Sequence, residues 1–145
     1  MVLPLGINHG LNNCAGAEVH LKQDGSYDVR LVRLSLSKKQ IRIEAKKCYA
    51  ASSAKITDFL LEEPLAITLT GKGVLIKKTA RLEEASSGTL QHLFPALKLE
   101  EFYVQHFSAG AYSFVAIIRR EIADAVIAVF KKHGVEVMML SLGPF

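Results

Sequence analysis

The chain has 145 residues, 50% of them hydrophobic and 22% charged, with a net charge of +4. That balance excludes extended disorder, and charges interrupt every apolar stretch well short of the roughly 20 residues a membrane-spanning helix needs. Two widely separated cysteines, Cys14 and Cys48, with no signal peptide ahead of them, fit reduced thiols in a cytoplasmic protein.

Val2–Asn8 reads as a short apolar strand, and His9–Gly16, rich in Gly and Asn, as a tight turn. Ala17–Lys22 returns as a strand, with Ala17, Val19 and Leu21 on one face. Asp24-Gly25 marks a hairpin into the alternating run Tyr27–Leu36. A Ser-Lys-Lys-Gln turn then leads to a strand at Ile41–Glu44. Ala50–Glu63 is predicted to be a helix, capped by Ser52 or Ser53, with Ile56, Phe59 and Leu60 inward and Pro64 ending it. Leu65–Thr70 reads as a buried strand, Gly71-Lys72-Gly73 as a turn and Val74–Ala80 as a strand with basic outward residues. A polar connection, Leu82–Gly88, precedes a short helix at Thr89–Phe94, stopped by Pro95. Glu101–Phe107 and Tyr112–Ile118 form a hairpin about Ser108–Ala111.

The last third is the most strongly patterned. Ile118, Ile122, Ala125, Val126, Val129 and Phe130 fall at the spacing of one helix face. Glu121 and Asp124 lie in the first turns and Lys131, Lys132 and His133 in the last, as the helix dipole favours. Gly134 supplies the stop, and Val135–Leu142 reads as a strand.

The fold class read from this order is α/β (α+β). Residues 1–70 are expected to form a ribonuclease-H-like lobe, a meander followed by helix and strand. Residues 71–145 are expected to form a βαββαβ, ferredoxin-like lobe in a single sheet. The chain stops at Leu142-Gly143-Pro144-Phe145, directly after an apolar strand, so it is expected to be the front part of a longer protein.

Reactive chemistry is sparse. The basic stretches Lys38–Lys47 and Lys72–Lys78 alternate with apolar residues as on strands, which favours a solvated face over a nucleic-acid surface. Gly6–Gly16 is the phosphate-loop candidate, because a Gly- and Asn-rich turn can aim backbone N–H groups at phosphate oxygens. The Walker A spacing is missing there and at Gly71-Lys72-Gly73. Histidines 9, 20, 92, 106 and 133 show no metal-ligand spacing with each other or with the cysteines. Cys14 paired with His9 or His20 lacks a third orienting group. A ribonuclease-H-type nuclease would need converging carboxylates around Mg²⁺, whereas position 8 is Asn8 and only Glu44 and Asp58 remain as candidates.

Leu5-Gly6-Ile7-Asn8-His9-Gly10 resembles the first phosphate motif of the actin-like ATPase superfamily, Gly-Ile-Asp-x-Gly. Leu69–Leu75 and Val115–Phe145 are similar to the corresponding stretches of its bacterial assembly branch, which includes the PilM-type, FtsA-type and GspL-type proteins. The resemblance implies a cytoplasmic scaffold at the inner face of the inner membrane. Its partners would be proteins, such as the cytoplasmic tail of an inner-membrane protein, held in a groove between lobes or at a strand edge; nucleic acid is not expected. Gly6, Asn8, Gly10, Asn12 and Asn13 would cradle phosphate if nucleotide bound, with ATP and Mg²⁺ as the cofactors of the full-length protein. Asn8 replaces the motif's aspartate and the second phosphate loop is absent, so the resemblance favours a GspL-like, non-catalytic module without a cofactor over an ATPase half. A nucleic-acid-binding module using the basic strands is the third reading.

Overall fold

The computed structural model describes residues 13–50 and 62–144. Among them the chain forms eight strands and two α-helices. β1 (Asn13–Leu21), β2 (Tyr27–Ser37) and β3 (Gln40–Tyr49) make an antiparallel meander, followed by β4 (Leu65–Gly71) and β5 (Leu75–Ala80). Helix α1 (Ser87–Leu93) and a 3₁₀ turn (Leu99–Glu101) lead to β6 (Phe102–Ala109) and β7 (Tyr112–Arg119). Helix α2 (Arg120–Lys132) and β8 (Val137–Leu142) complete the order. The expected helix at 50–63 and strand at 2–8 lie outside the described residues.

The hairpins follow from local chemistry. At β1–β2, Gly25 takes φ +85° and the Asp24 carboxylate accepts bonds from Ser26 N (2.9 Å) and Ser26 Oγ (2.6 Å). At β2–β3, Ser37 pairs with Gln40, leaving Lys38 and Lys39 as a two-residue turn at φ +49° and +63°. Asn-Gly is the usual occupant of such a turn, and a non-glycine residue there costs about 1–2 kcal/mol.

Five strands join in the order β3-β2-β1-β4-β8, with β4 parallel to both neighbours, and three more in the order β5-β7-β6, antiparallel throughout. One face of the larger sheet is apolar at every second residue: Ala15, Ala17, Val19 and Leu21 on β1, Val29 and Leu31 on β2, Leu65, Ile67 and Leu69 on β4. All are buried. Helix α2 lays Ala123, Val126 and Phe130 on this core. It ends where Gly134 (φ +77°) lets Val135 N–H reach back to the Phe130 carbonyl at 3.1 Å. A second core lies under α1, where Leu90 and Phe94 meet Phe102, Val115 and Ile117 of the smaller sheet. Ser86 caps α1 by accepting from Thr89 N.

Three expectations are corrected. The βαββαβ sheet over 71–145 does not form, because β8 pairs with β4 of the larger sheet and not with β5, β6 or β7. Leu65, Ile67 and Leu69, each fully buried, make β4 too apolar to serve as an edge, and β8 covers its open side. Second, Asn13–Gly16 is strand, not turn. Gly16 is not at positive φ; a Cβ there would sit 3.2 Å from Val32 Cγ1, so the glycine serves close packing. Third, the buried stripe of α2 runs through Ala123, Val126 and Phe130, while Ala125 is exposed and Ile118 belongs to β7.

Phe130 is 1% exposed at the centre of the larger core. Phe130→Ala should lower unfolding free energy by about 3–5 kcal/mol, read as a shifted denaturation midpoint with an unchanged slope.

Candidate binding groove

β1 and β4 run parallel and end side by side at Leu21 and Gly71. Crevices outside the carboxyl ends of parallel strands are where open α/β sheets tend to bind ligands. Here a groove of about 490 Å³ opens at that edge. Leu21, Lys22, Gly25 and Tyr27 from the β1–β2 hairpin form one wall, Lys72 and Gly73 from the β4–β5 turn the floor, and Glu121, Ile122, Ala125, Val126 and Val129 of α2 the other wall. The lining is mostly aliphatic, because α2 carries a wider apolar face than the sheet covers. A shape of this kind suits the apolar side of a peptide segment.

Both lysines of the rim are already engaged. Lys22 Nζ lies 2.8 Å from Asp28 Oδ1, and Lys72 Nζ donates to the Gln23 carbonyl at 2.8 Å. Both contacts brace the hairpin. The two Ser26 bonds, the side-chain one first, hold the Asp24 carboxyl below its ordinary value of 3.8. Gly71, at φ +88°, leaves β4 so tightly that a Cβ would lie 2.3 Å from the Leu21 carbonyl oxygen, the oxygen that accepts Lys72 N–H at 2.9 Å.

The smaller sheet is tied to the larger one beside the groove. Tyr103 Oη donates to Asp124 Oδ1 at 2.8 Å and the Arg120 guanidinium stacks over the Tyr103 ring at 4.6 Å. The Asp124 bond, followed by desolvation, raises the Tyr103 hydroxyl above its ordinary value. Gln105 Oε1 accepts Leu142 N–H at 2.6 Å, joining β6 to β8.

Of the phosphate-cradling set, Gly6, Asn8, Gly10 and Asn12 lie outside the described residues. Asn13 opens β1, exposed and opposite Ser35, roughly 26 Å of strand away from the β1–β2 hairpin. Cys14 and His20 stand at opposite ends of β1, about 20 Å apart along it, so they do not form a nucleophilic pair. Glu44 accepts from Ser35 Oγ. Among the described residues no three His, Cys, Asp or Glu side chains gather as a metal site.

One Ser–His cluster escaped the sequence reading. His106 Nε2 lies 3.2 Å from Ser113 Oγ and 3.1 Å from Ser108 Oγ. Ser113 is fully buried and accepts Leu82 N–H at 2.8 Å, while Ser108 Oγ donates to the Leu82 carbonyl at 3.3 Å. These hydroxyls fasten the Leu82 backbone to the sheet; Ser113 has no route to a substrate.

No protein-family model matches the chain, and no curated protein sequence does. Twenty-four chains of solved structures match it in fold. One is the cytoplasmic domain of EpsL, an inner-membrane component of the type II secretion system of Vibrio cholerae, with a TM-score of 0.60 at 16% identity. The match covers 89% of this chain and 57% of that one. The two share a mixed α/β fold, and no helix among the described residues is long and apolar enough to cross a membrane.

Two outcomes test this geometry. Gly71→Ala should destabilise by about 1–3 kcal/mol and broaden the Leu21 and Lys72 amide signals, because the added carbon meets backbone that has nowhere to move. The Asp24 carboxyl should titrate below 3.8. Its contribution to stability is present above that pH and lost as pH falls through the native value. The difference in unfolding midpoint between the native chain and Asp24→Ala should therefore be constant at neutral pH and vanish in acid.

Proposed function

We propose that this chain is a non-catalytic, GspL-like assembly module on the cytoplasmic side of an inner-membrane secretion or pilus-type machine. In this reading it holds partner proteins and turns over no substrate. The observation that carries the proposal is the fold it shares with the cytoplasmic domain of EpsL over 89% of its length. Support also comes from the groove, whose aliphatic lining and engaged rim lysines suit a peptide more than a phosphate.

A ribonuclease-H-like, actin-type body is the finer fold reading. The strand order β3-β2-β1-β4-β8, with β2 alone antiparallel to the other strands, supports it. A lobe boundary near residue 70 is retained, where the chain leaves the larger sheet after β4; the return falls at Arg119–Arg120, with α2 and β8 belonging to the first lobe. PilM-type and FtsA-type proteins are relatives in the same reading, and the natural partner is the cytoplasmic tail of an inner-membrane protein. Full-length protein purified from detergent-solubilised inner membranes should bring down secretion or pilus components, and Ala125→Glu with Val129→Glu in the groove should release them. Unchanged retention by that variant would argue against the groove. A saturable rise in melting temperature with Mg-ATP, together with phosphate release, would argue for the ATPase half and against the module.

A further inference from the structure

We infer that the end of the β2–β3 hairpin is a docking surface for an anionic phospholipid bilayer. The inference rests on charge and exposure in this chain and is independent of the secretion reading. Residues 33–47 carry six basic side chains, Arg33, Lys38, Lys39, Arg42, Lys46 and Lys47, against Glu44 alone, a net of +5. Since the whole chain is +4, everything else sums to −1. Arg33 is ion-paired with Glu63 at 2.5 Å, so this corner of the larger sheet keeps +4, the net charge of the whole chain.

The same corner bears the most exposed aliphatic residues. Ile41 is 73% exposed, Ile43 57% and Leu36 49%. Leu36 lies opposite Ile41, and Leu34 opposite Ile43; directly opposed residues share a sheet face, so the four side chains form one apolar strip. Val32 and Lys46 are opposed on that same face. Among the described residues the last pair made by β1 is Asn13 with Ser35, and the β2–β3 hairpin runs on past it through Leu36, Ile41 and the Lys38-Lys39 turn.

Backbone conformation points the same way. Lys38 and Lys39 both occupy the left-handed region, where Asn-Gly would be relaxed. Strain of this sort tends to persist where a side chain has a task, and this turn places two ammonium groups directly beside the apolar strip. No ion pair links either lysine to a described residue. Aliphatic side chains flanked by Lys38, Lys39 and Lys46 match a surface whose outside is phosphate and whose inside is hydrocarbon.

Other partners fit less well. Single-stranded nucleic acid is gripped by stacking on aromatic rings, and residues 28–48 contain none. Pairing with another strand along the edge of β3 is discouraged by the bulge at Glu44, between the Arg33 and Leu34 pairs, and by the lysines themselves.

The chain has no tryptophan, so Ile41→Trp is a clean reporter. The full-length protein is mixed with vesicles of phosphatidylcholine, with and without phosphatidylglycerol. Retention should occur only on the anionic vesicles and weaken with salt, with the emission of the introduced indole shifting to the blue. Lys38→Glu with Lys39→Glu should weaken retention by about 25-fold or more, and Ile41→Ser with Ile43→Ser by about tenfold, with circular dichroism unchanged in both. The inference is overturned by no retention on anionic vesicles, by retention that neither variant alters, by unshifted emission from bound protein, or by an oligonucleotide or acidic protein displacing the vesicles at equal charge.

Discussion

The parallel pairing of β8 with β4 is the constraint on which the rest of this molecule depends. Leu65, Ile67 and Leu69 of β4 are each fully buried, and a strand of that character needs a partner on both sides and a layer above it. β1 supplies one side at once. The other is filled only after the chain has run through β5, α1, β6, β7 and α2. Helix α2 has to cross the sheet to deliver β8, and in crossing it becomes the layer that buries Val126 and Phe130 on the same core. A single pairing therefore decides the strand order, the position of α2 and the attachment of the smaller sheet.

The groove is a consequence of that arrangement. Because β1 and β4 end at the same edge, the β1–β2 hairpin and the β4–β5 turn stand next to each other, and α2 starts its crossing beside them. Lys72 links the turn to the hairpin through the Gln23 and Leu21 carbonyls, and Asp24 closes the hairpin's own turn by accepting from Ser26. The smaller sheet is held by Ala116 and Ile118 of β7, which are buried in the larger core, and by the polar contacts Tyr103–Asp124 and Gln105–Leu142. The hairpin end that carries the lysines lies at the opposite end of β2 from this groove.

Local structure was legible in the sequence wherever one residue type has one physical use. Asp24-Gly25 and the Ser-Lys-Lys-Gln turn fixed two hairpins, period-two alternation located β2, the buried-looking run Leu65–Thr70 located β4, and the acidic start, basic end and Gly134 bounded α2 to within two residues. Where a residue has two uses, the sequence misleads. Gly16 has the conformational freedom of a turn former, yet its small size is what lets β1 approach Val32. The destination of β8 was illegible for a different reason: its apolar residues fit any buried sheet position, and nothing in Val137–Leu142 names β4 instead of β7. The groove was hidden because its walls come from residues 21–27, 72–73 and 121–129, which only the strand order brings together. The Ser113–His106 cluster was equally hidden, since a serine in an apolar run looks solvated until its neighbours are known.

Backbone distances between β8 and its neighbours test the central claim most directly. In uniformly labelled protein, amide and α-proton contacts should connect Ile67 with Leu140, Thr68 with Ser141 and Leu69 with Leu142, the registers of a parallel β4–β8 pair. Contacts running from Met139–Leu142 to the backbone of β5, β6 or β7 along a continuous ladder, with none to β4, would contradict the strand order and with it the fold on which the functional reading stands.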